Sequence, residues 1–528
     1  MDDLLIILLI LLGIMAYVSF ITYLDHRKIL EKYNMSSWYG IIMWRTKRGR
    51  ALVDWLSSPK RFWNAYSYLS KAICVIVMIS IMALLIWEAF LVPGIPAEQA
   101  PTPDMLIGLP GINPIIPLWY GILALIVGVA IHEIGHGIMT RVAGMNIKSM
   151  GVLLFIFPIG AFVEPDEDAL AKTDKRTRTS VYAAGPATNI IFAIICAFLF
   201  STVMVGSAQV ANDGPVLTTV YADTPADLAG LGSGYQIIEM NGVPVSFNDL
   251  YNFPAAEPGT PMSITYIYQG EEHTTTIFSG LVILSVSEGQ PSAQAGLKSG
   301  MILKSLNNIT LHNEGDFRST LGELTPGETV EITTLEYDRE SNSYIPSEEV
   351  TNITPANRKD YVGGNENMAF LGITSAYLGT GMLDPAAVLD HMAHPFAGAS
   401  SAGEVFTGSL YYIAMPFTGL QPLDGPYRDI FVPGGFFAEW NSDVFWIVAN
   451  SFYWIFWINL MLGMTNVLPA VPLDGGFLFR DWIDSILAKV KKDIDEKERE
   501  RYVSAICYAF IMIVFFLIIW QLIGPRLL

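Results

Sequence analysis

His132-Glu133-Ile134-Gly135-His136 closes an apolar run that begins "PLWYGILALIVGVA". In a helix, His132 and His136 lie one turn apart on one face. Two imidazoles at that spacing can hold one zinc ion. The adjacent Glu133 can then act as general base towards the water such a metal activates. Charged groups inside an apolar span cost about 2.5–3.5 kcal/mol each, so a purely structural role explains this trio poorly. Hydrolysis also needs water, which the bilayer core excludes, so protein must line the site.

A catalytic zinc takes three protein ligands and keeps a fourth position open. The other histidines are His26, His273, His312, His391 and His394. None is expected on the same side of the membrane next to the pair, so a carboxylate is the expected third ligand. Two aspartates share the tetrapeptide P-L-D-G: Asp424 and Asp474. Asp474 follows the cytoplasmic end of an apolar span. Pro469 and Pro472 break the helix there, and Gly475-Gly476 permit a sharp return towards the metal. Such irregular backbone is tolerated where protein surrounds it. Asp474 is therefore the expected ligand, and Asp424 a loop residue on the outer side. Gly135 and Gly137 are expected to let the 469–476 turn approach the histidine helix.

The elements that must carry these residues follow from composition and charge. Of 528 residues, 52% are hydrophobic and 15% charged, which points to a polytopic membrane protein. Six transmembrane helices are expected, at Leu4–Leu24, Ala72–Val92, Leu118–Val142, Val181–Val205, Val444–Thr465 and Tyr502–Ile523. The first is read as a retained helix rather than a signal peptide. The loop 25–71 carries ten Lys or Arg against three acids, and 93–117 carries none. Residues 480–501 hold seven basic side chains, whereas 206–443 hold 28 acidic residues and seven basic ones. The positive-inside rule then puts the N-terminus and the acidic middle outside and the basic loops in the cytoplasm. His132 lies about 21 Å along a helix entering from outside, near the cytoplasmic third of a core of about 30 Å. The run 152–163 is too short to cross, and 405–420 is read as interfacial or re-entrant. Cys74, Cys196 and Cys507 all fall in spans and read as packing residues. The acidic surface argues against nucleic-acid binding.

The acidic middle contains a repeat. "TPADLAGLGSGYQIIEMNGVPV" (224–245) and "QPSAQAGLKSGMILKSLNNITL" (290–311) align without gaps and share seven of 22 positions. Each reads as a short helix, a glycine turn, a strand and a turn at Asn241 or Asn307. The pattern resembles the bacterial PDZ module, whose members bind extended peptides by strand addition. Peptide binding and a spacer with an occluded groove are both open for these modules.

His-Glu-Ile-Gly-His on one span and Asn466-Val-Leu-Pro469-Ala-Val-Pro-Leu473-Asp474-Gly475 on a later one resemble the site-2 protease family of intramembrane metalloproteases. Gly185-Pro186-Ala187-Thr188-Asn189 matches that family's G-P-x-x-N motif, and PDZ modules between the catalytic spans are also a feature of it. The resemblance implies one Zn2+ on His132, His136 and Asp474, with Glu133 as base. It implies substrate handling by Asn466 and Asn189, for which interhelical hydrogen bonding is the plainer alternative. It places a membrane-inserted β-hairpin at 152–163, where a packing loop is equally open.

The domain layout expected is as follows. Residues 1–117 hold two leading helices and a basic loop, and 118–206 the first catalytic part. PDZ-like modules occupy 207–280 and 281–375, an outer linker 376–443, and the second catalytic part 444–528. The resemblance also implies substrates that are membrane-tethered proteins already trimmed by another protease, and cleavage in or near their spans is expected. A zinc protease with a distant Glu ligand, acting on cytosolic or prenylated chains, and an inactive PDZ scaffold are the competing readings.

Overall fold

The protein is described from a computed structural model, covering residues 3–46, 48–97, 100–106, 108–155, 158–250, 253, 256–347, 352–361, 368–417, 429–491 and 494–527. Asp424 and residues 418–420 lie outside the described residues. The chain divides into two compact units, Met1–Phe200 with Ile447–Leu528, and Ser201–Trp446.

The first unit is built on helices α1 (Asp3–His26), α2 (Lys60–Leu91), α3 (Leu118–Val142), α4 (Lys175–Phe198), α5 (Ser442–Asn466), α6 (Asp474–Val490) and α7 (Glu496–Leu527). Among the described residues, five helical runs are long and apolar enough to cross a membrane: Lys60–Gly94, Leu118–Val142, Lys175–Ser207, Ser442–Asn466 and Glu496–Leu527. They cover the expected spans from Ala72 onwards. The sixth expected span, 4–24, is helical in α1 but is not among the five. Asp174 caps α4 by accepting a hydrogen bond from the Thr177 amide at 3.1 Å, satisfying one of the free N–H groups of the first turn.

A four-stranded antiparallel sheet runs β1 (Met35–Trp38), β2 (Ile41–Thr46), β3 (Ile147–Leu154) and β4 (Pro158–Pro165). The apolar run 152–163 is thus a β-hairpin, with Met150 opposite Val163 and Gly151 opposite Phe162. Strands β1 and β2 were not expected. They come from the basic loop after α1 and extend the sheet by pairing Trp44 with Val152 and Arg45 with Gly151. Gly151 is required there, because a side chain would stand 2.1 Å from the Trp44 carbonyl oxygen. The inner edge of the sheet, β4, packs along α3.

The second unit carries two sheets of one design. In the first, β5 (Val216–Val220), β6 (Gln236–Met240), β7 (Pro261–Tyr268) and β8 (Glu271–Phe278) join β14 (Thr380–Leu383) in the order β8-β7-β6-β5-β14. In the second, β9 (Leu281–Val286), β10 (Ile302–Leu306), β11 (Val330–Asp338), β12 (Ser343–Pro346) and β13 (Ile373–Tyr377) run β12-β11-β10-β9-β13. The second sheet is inserted before the last strand of the first, so Thr380–Leu383 pairs back onto Val216–Val220. Asn241-Gly242 and Asn307-Asn308 both have positive φ at both residues, as a tight hairpin turn demands. Asparagine tolerates that region, which explains how Asn308 replaces glycine. Leu231 and Leu297 are buried equivalents, as are Met240 and Leu306. The apolar run from 405 forms the 13-residue helix Ala402–Ala414, about 20 Å long and too short to cross a bilayer.

Candidate active site and metal centre

Three side chains from two distant segments converge in the first unit. The Nε2 atoms of His132 and His136 stand 3.1 Å apart. Asp474 Oδ2 lies 3.1 Å from the first and 3.2 Å from the second. A tetrahedral zinc with bonds of about 2.0–2.1 Å needs ligand atoms about 3.3–3.4 Å apart, so this triangle is the base of such a site. Among the described residues no other group of three His, Cys, Asp or Glu is placed to hold a metal. The three side chains are 11–17% exposed, so the site is enclosed yet not sealed. Burial works to raise the Asp474 carboxyl pKa. The two imidazoles outweigh it and hold the group far below the ordinary carboxylate range.

His136 and Asp474 are positioned by backbone. The carbonyl of Val181 lies 2.8 Å from His136 Nδ1, which fixes the tautomer that leaves Nε2 for a metal. His132 Nδ1 is buried without a hydrogen-bond partner among the described residues. Asp474 opens α6, and the start of that helix is pressed onto the preceding turn. A side chain at Gly475 would stand 2.0 Å from the Val467 carbonyl oxygen. Glu133 Oε2 accepts a hydrogen bond from the Val163 amide at 2.8 Å, so strand β4 holds the carboxylate while its other oxygen stays unassigned.

Gly185, in the middle of α4, was named from the sequence only as the first residue of the G-P-x-x-N motif, with no role given to it. A Cβ there would meet His136 Nε2 at 2.4 Å and His132 Nε2 at 2.7 Å. Glycine therefore lets α4 run directly beside the Nε2 atoms of both imidazoles. The expectation for Gly135 and Gly137 is corrected. Gly135 faces Thr188 and the Ala184 carbonyl of α4, and Gly137 faces Val163 and Val53. Neither meets the 469–476 turn, because the helix turns its small residues towards α4 and β4 while Asp474 reaches the metal atoms from another side.

Asn189 is fully buried, and neither atom of its amide has a partner among the described residues. Asn466 bonds back to the Leu462 carbonyl of its own helix at 3.0 Å. Neither asparagine is bonded to the ligand trio. Of the other histidines, His273 stacks on Tyr266, His312 pairs with Asp316, His394 pairs with Asp390 and His391 meets Tyr411.

Beyond the ligands, α4 and α6 zip together residue by residue. Tyr182 stacks on Phe477 with centroids 5.1 Å apart. One turn further, Arg178 binds Asp481 through two bonds, 2.9 Å from Nε and 2.5 Å from Nη2. Asp484 then meets Lys175 and, at 2.6 Å, Arg499. Arg178, Tyr182, Phe477, Asp481 and Asp484 line a cavity of about 660 Å³. The stripe needs only helical spacing to see: 178, 182 and 185 share one face of α4, and 474, 477, 481 and 484 share one face of α6.

A membrane-type helix with two histidines one turn apart, an adjacent carboxylate and an aspartate completing the triangle defines the class of membrane-embedded metallopeptidase sites. Comparison with known families agrees: the model of peptidase family M50 matches residues 120–514. The chain belongs to that family. It is 30% identical over 181 residues to an uncharacterised protein of Methanocaldococcus jannaschii, covering 34% of this chain and 48% of the relative, and so spans about half of that relative's length. A putative zinc metalloprotease of Agrobacterium fabrum is 26% identical over 409 residues, 69% of this chain and 85% of the relative. The regulator of sigma-W protease RasP of Bacillus subtilis is 26% identical over 258 residues, 46% and 54% respectively. The donor set and the name of the Agrobacterium relative agree on zinc as the cofactor, and the five long apolar helices fit a multi-pass membrane protein.

Proposed function

We propose that the protein is an intramembrane zinc metallopeptidase that hydrolyses peptide bonds in or near the transmembrane segments of membrane-tethered substrates. The observation that carries this reading is the 3.1–3.2 Å triangle of His132, His136 and Asp474 beside Glu133, with both histidines and Glu133 on a helix apolar enough to cross a bilayer. Zinc, when bound, supplies Lewis-acid polarisation of the scissile carbonyl and makes water acidic enough to lose a proton near neutral pH. Glu133 takes that proton on the oxygen not held by Val163 and returns it to the leaving nitrogen. His136 keeps its tautomer through Val181, and Gly185 leaves room beside the two Nε2 atoms.

A substrate helix has its carbonyls locked in hydrogen bonds, so it must unwind before reaction. The position of β4 supports that step, since among the described residues it is the end strand of its sheet and lies beside Glu133, where an unwound segment can add as a further strand. Asn189 and Asn466 handle the unwound segment. The two sheets of the second unit act as PDZ-like modules outside the membrane. They admit substrates already shortened by another protease and exclude bulky ones. The active site lies towards the cytoplasm, in keeping with the basic loops. RasP is named regulator of sigma-W protease, which makes membrane-anchored regulators the first substrates to try.

The test is Glu133→Gln in purified protein with a helical reporter substrate. It should keep one zinc per chain and lose cleavage by about 100-fold or more. Cleavage at the wild-type rate would falsify the assignment.

A further inference from the structure

The family match begins at residue 120, yet a segment before it is packed into the catalytic machinery. The short helix Arg48–Leu56 lies against α3 and β3. Its Val53 is fully buried, in one cluster with Ile138 of α3, Ile147 of β3 and Val163 of β4. Where Gly137 has no side chain, the gap is filled from both sides. Val163 Cγ1 and Val53 Cγ1 stand 3.3 and 3.4 Å from the position a Cβ would take. Val163 is also the residue whose amide holds Glu133. Val53 therefore touches the two bodies, α3 and β4, whose spacing sets that hydrogen bond.

Polar ties hold the segment in register. Asp54 accepts from Arg141 Nε at 2.6 Å, and the same guanidinium reaches the Met145 carbonyl and Asn146 across the turn from α3 to β3. Arg50 binds the Lys148 carbonyl. Trp63 donates to the Leu56 carbonyl at 2.6 Å and packs on the same cluster. Strand β2 meanwhile covers the outer edge of β3, so β4 is left as the sheet edge next to Glu133.

We infer that residues 48–63 form a positioning wedge for the general base: Val53 sets the distance between α3 and β4, and through the Val163 amide fixes the Glu133 carboxylate. Val53 and Asp54 are positioning residues, since neither reaches the ligand trio. The inference rests on the peptidase reading for its kinetic arm only.

The experiment uses the full chain with Val53→Ala, the conservative Val53→Ile, and Asp54→Asn, which leaves the apolar cluster intact. The wedge requires that Val53→Ala lower kcat by roughly 10- to 100-fold, as a misplaced catalytic group does, with KM within about twofold and one zinc per chain. Amide exchange in the peptide covering 158–165 should accelerate, because the Val163 amide loses its fixed acceptor. Val53→Ile should restore both, and Asp54→Asn should move both in the same direction by less. Unchanged exchange at 158–165 overturns the wedge whether or not the wild type cleaves the reporter. So does a fall in kcat that tracks lost zinc, which marks general unfolding. An inactive wild type with faster exchange in Val53→Ala refutes the peptidase reading and keeps the wedge.

Discussion

Gly185→Ala places a methyl carbon 2.4 Å from His136 Nε2 and 2.7 Å from His132 Nε2. Carbon and nitrogen in van der Waals contact need about 3.5 Å, so the rings or the helix must retreat by roughly 0.8–1.1 Å. Zinc–ligand distances hold within about 0.2 Å, so a ring that moves that far no longer shares the triangle. The helix cannot easily yield instead. Gly135 already lies so close to α4 that its own Cβ would be 2.6 Å from Thr188 Oγ1. Overpacking of this kind costs about 1–3 kcal/mol. If all of it falls on the liganded state, zinc affinity drops by roughly 5- to 150-fold. The assay is zinc competition with a chelator on purified protein, read beside thermal unfolding of the zinc-free form. Wild-type affinity in Gly185→Ala would refute the claim that α4 runs directly beside the metal site.

Two further outcomes follow from groups outside the ligand trio. Asn189→Leu removes a fully buried amide with two unpartnered atoms, so it should stabilise the resting protein by about 1–3 kcal/mol. It should also raise KM for a helical substrate if Asn189 handles the unwound chain; a loss of stability would show that the amide is satisfied in the resting state. Burial pushes the Asp484 carboxyl pKa up, but Lys175 and Arg499 overcome that and hold it below the ordinary value. Its contribution is therefore complete above about pH 4 and is lost as pH falls through the lowered pKa. Asp484→Asn should lower the unfolding midpoint at pH 7, and the difference from wild type should vanish in acid.

Several features could be seen in the sequence because each is carried by local chemistry. The helical period of 3.6 puts His132 and His136 on one face whatever surrounds them. The prolines and glycines of 469–476 end α5 and force a turn. The matching Gly230/Gly296, Gly234/Gly300 and Asn241/Asn307 announce two modules, and both pairs of glycines have positive φ. The strands at 35–46 left no comparable sign, since a short hairpin in a basic loop acquires its partner, β3, more than a hundred residues later. The strand that closes the first sheet, 380–383, was likewise hidden behind the inserted second sheet.

Residue type and spacing alone pointed to the three side chains that converge, to the carboxylate beside them and to the membrane setting, because side-chain chemistry, helical period and loop charge are properties of short segments. What holds those atoms in place was decided only by tertiary structure. The Val181 carbonyl on His136 and the Val163 amide on Glu133 are main-chain groups that every residue type carries. Gly185 and Val53 act by filling, or not filling, space between helices. A backbone hydrogen bond and a close packing distance have no residue code of their own, so they exist only once the chain has folded.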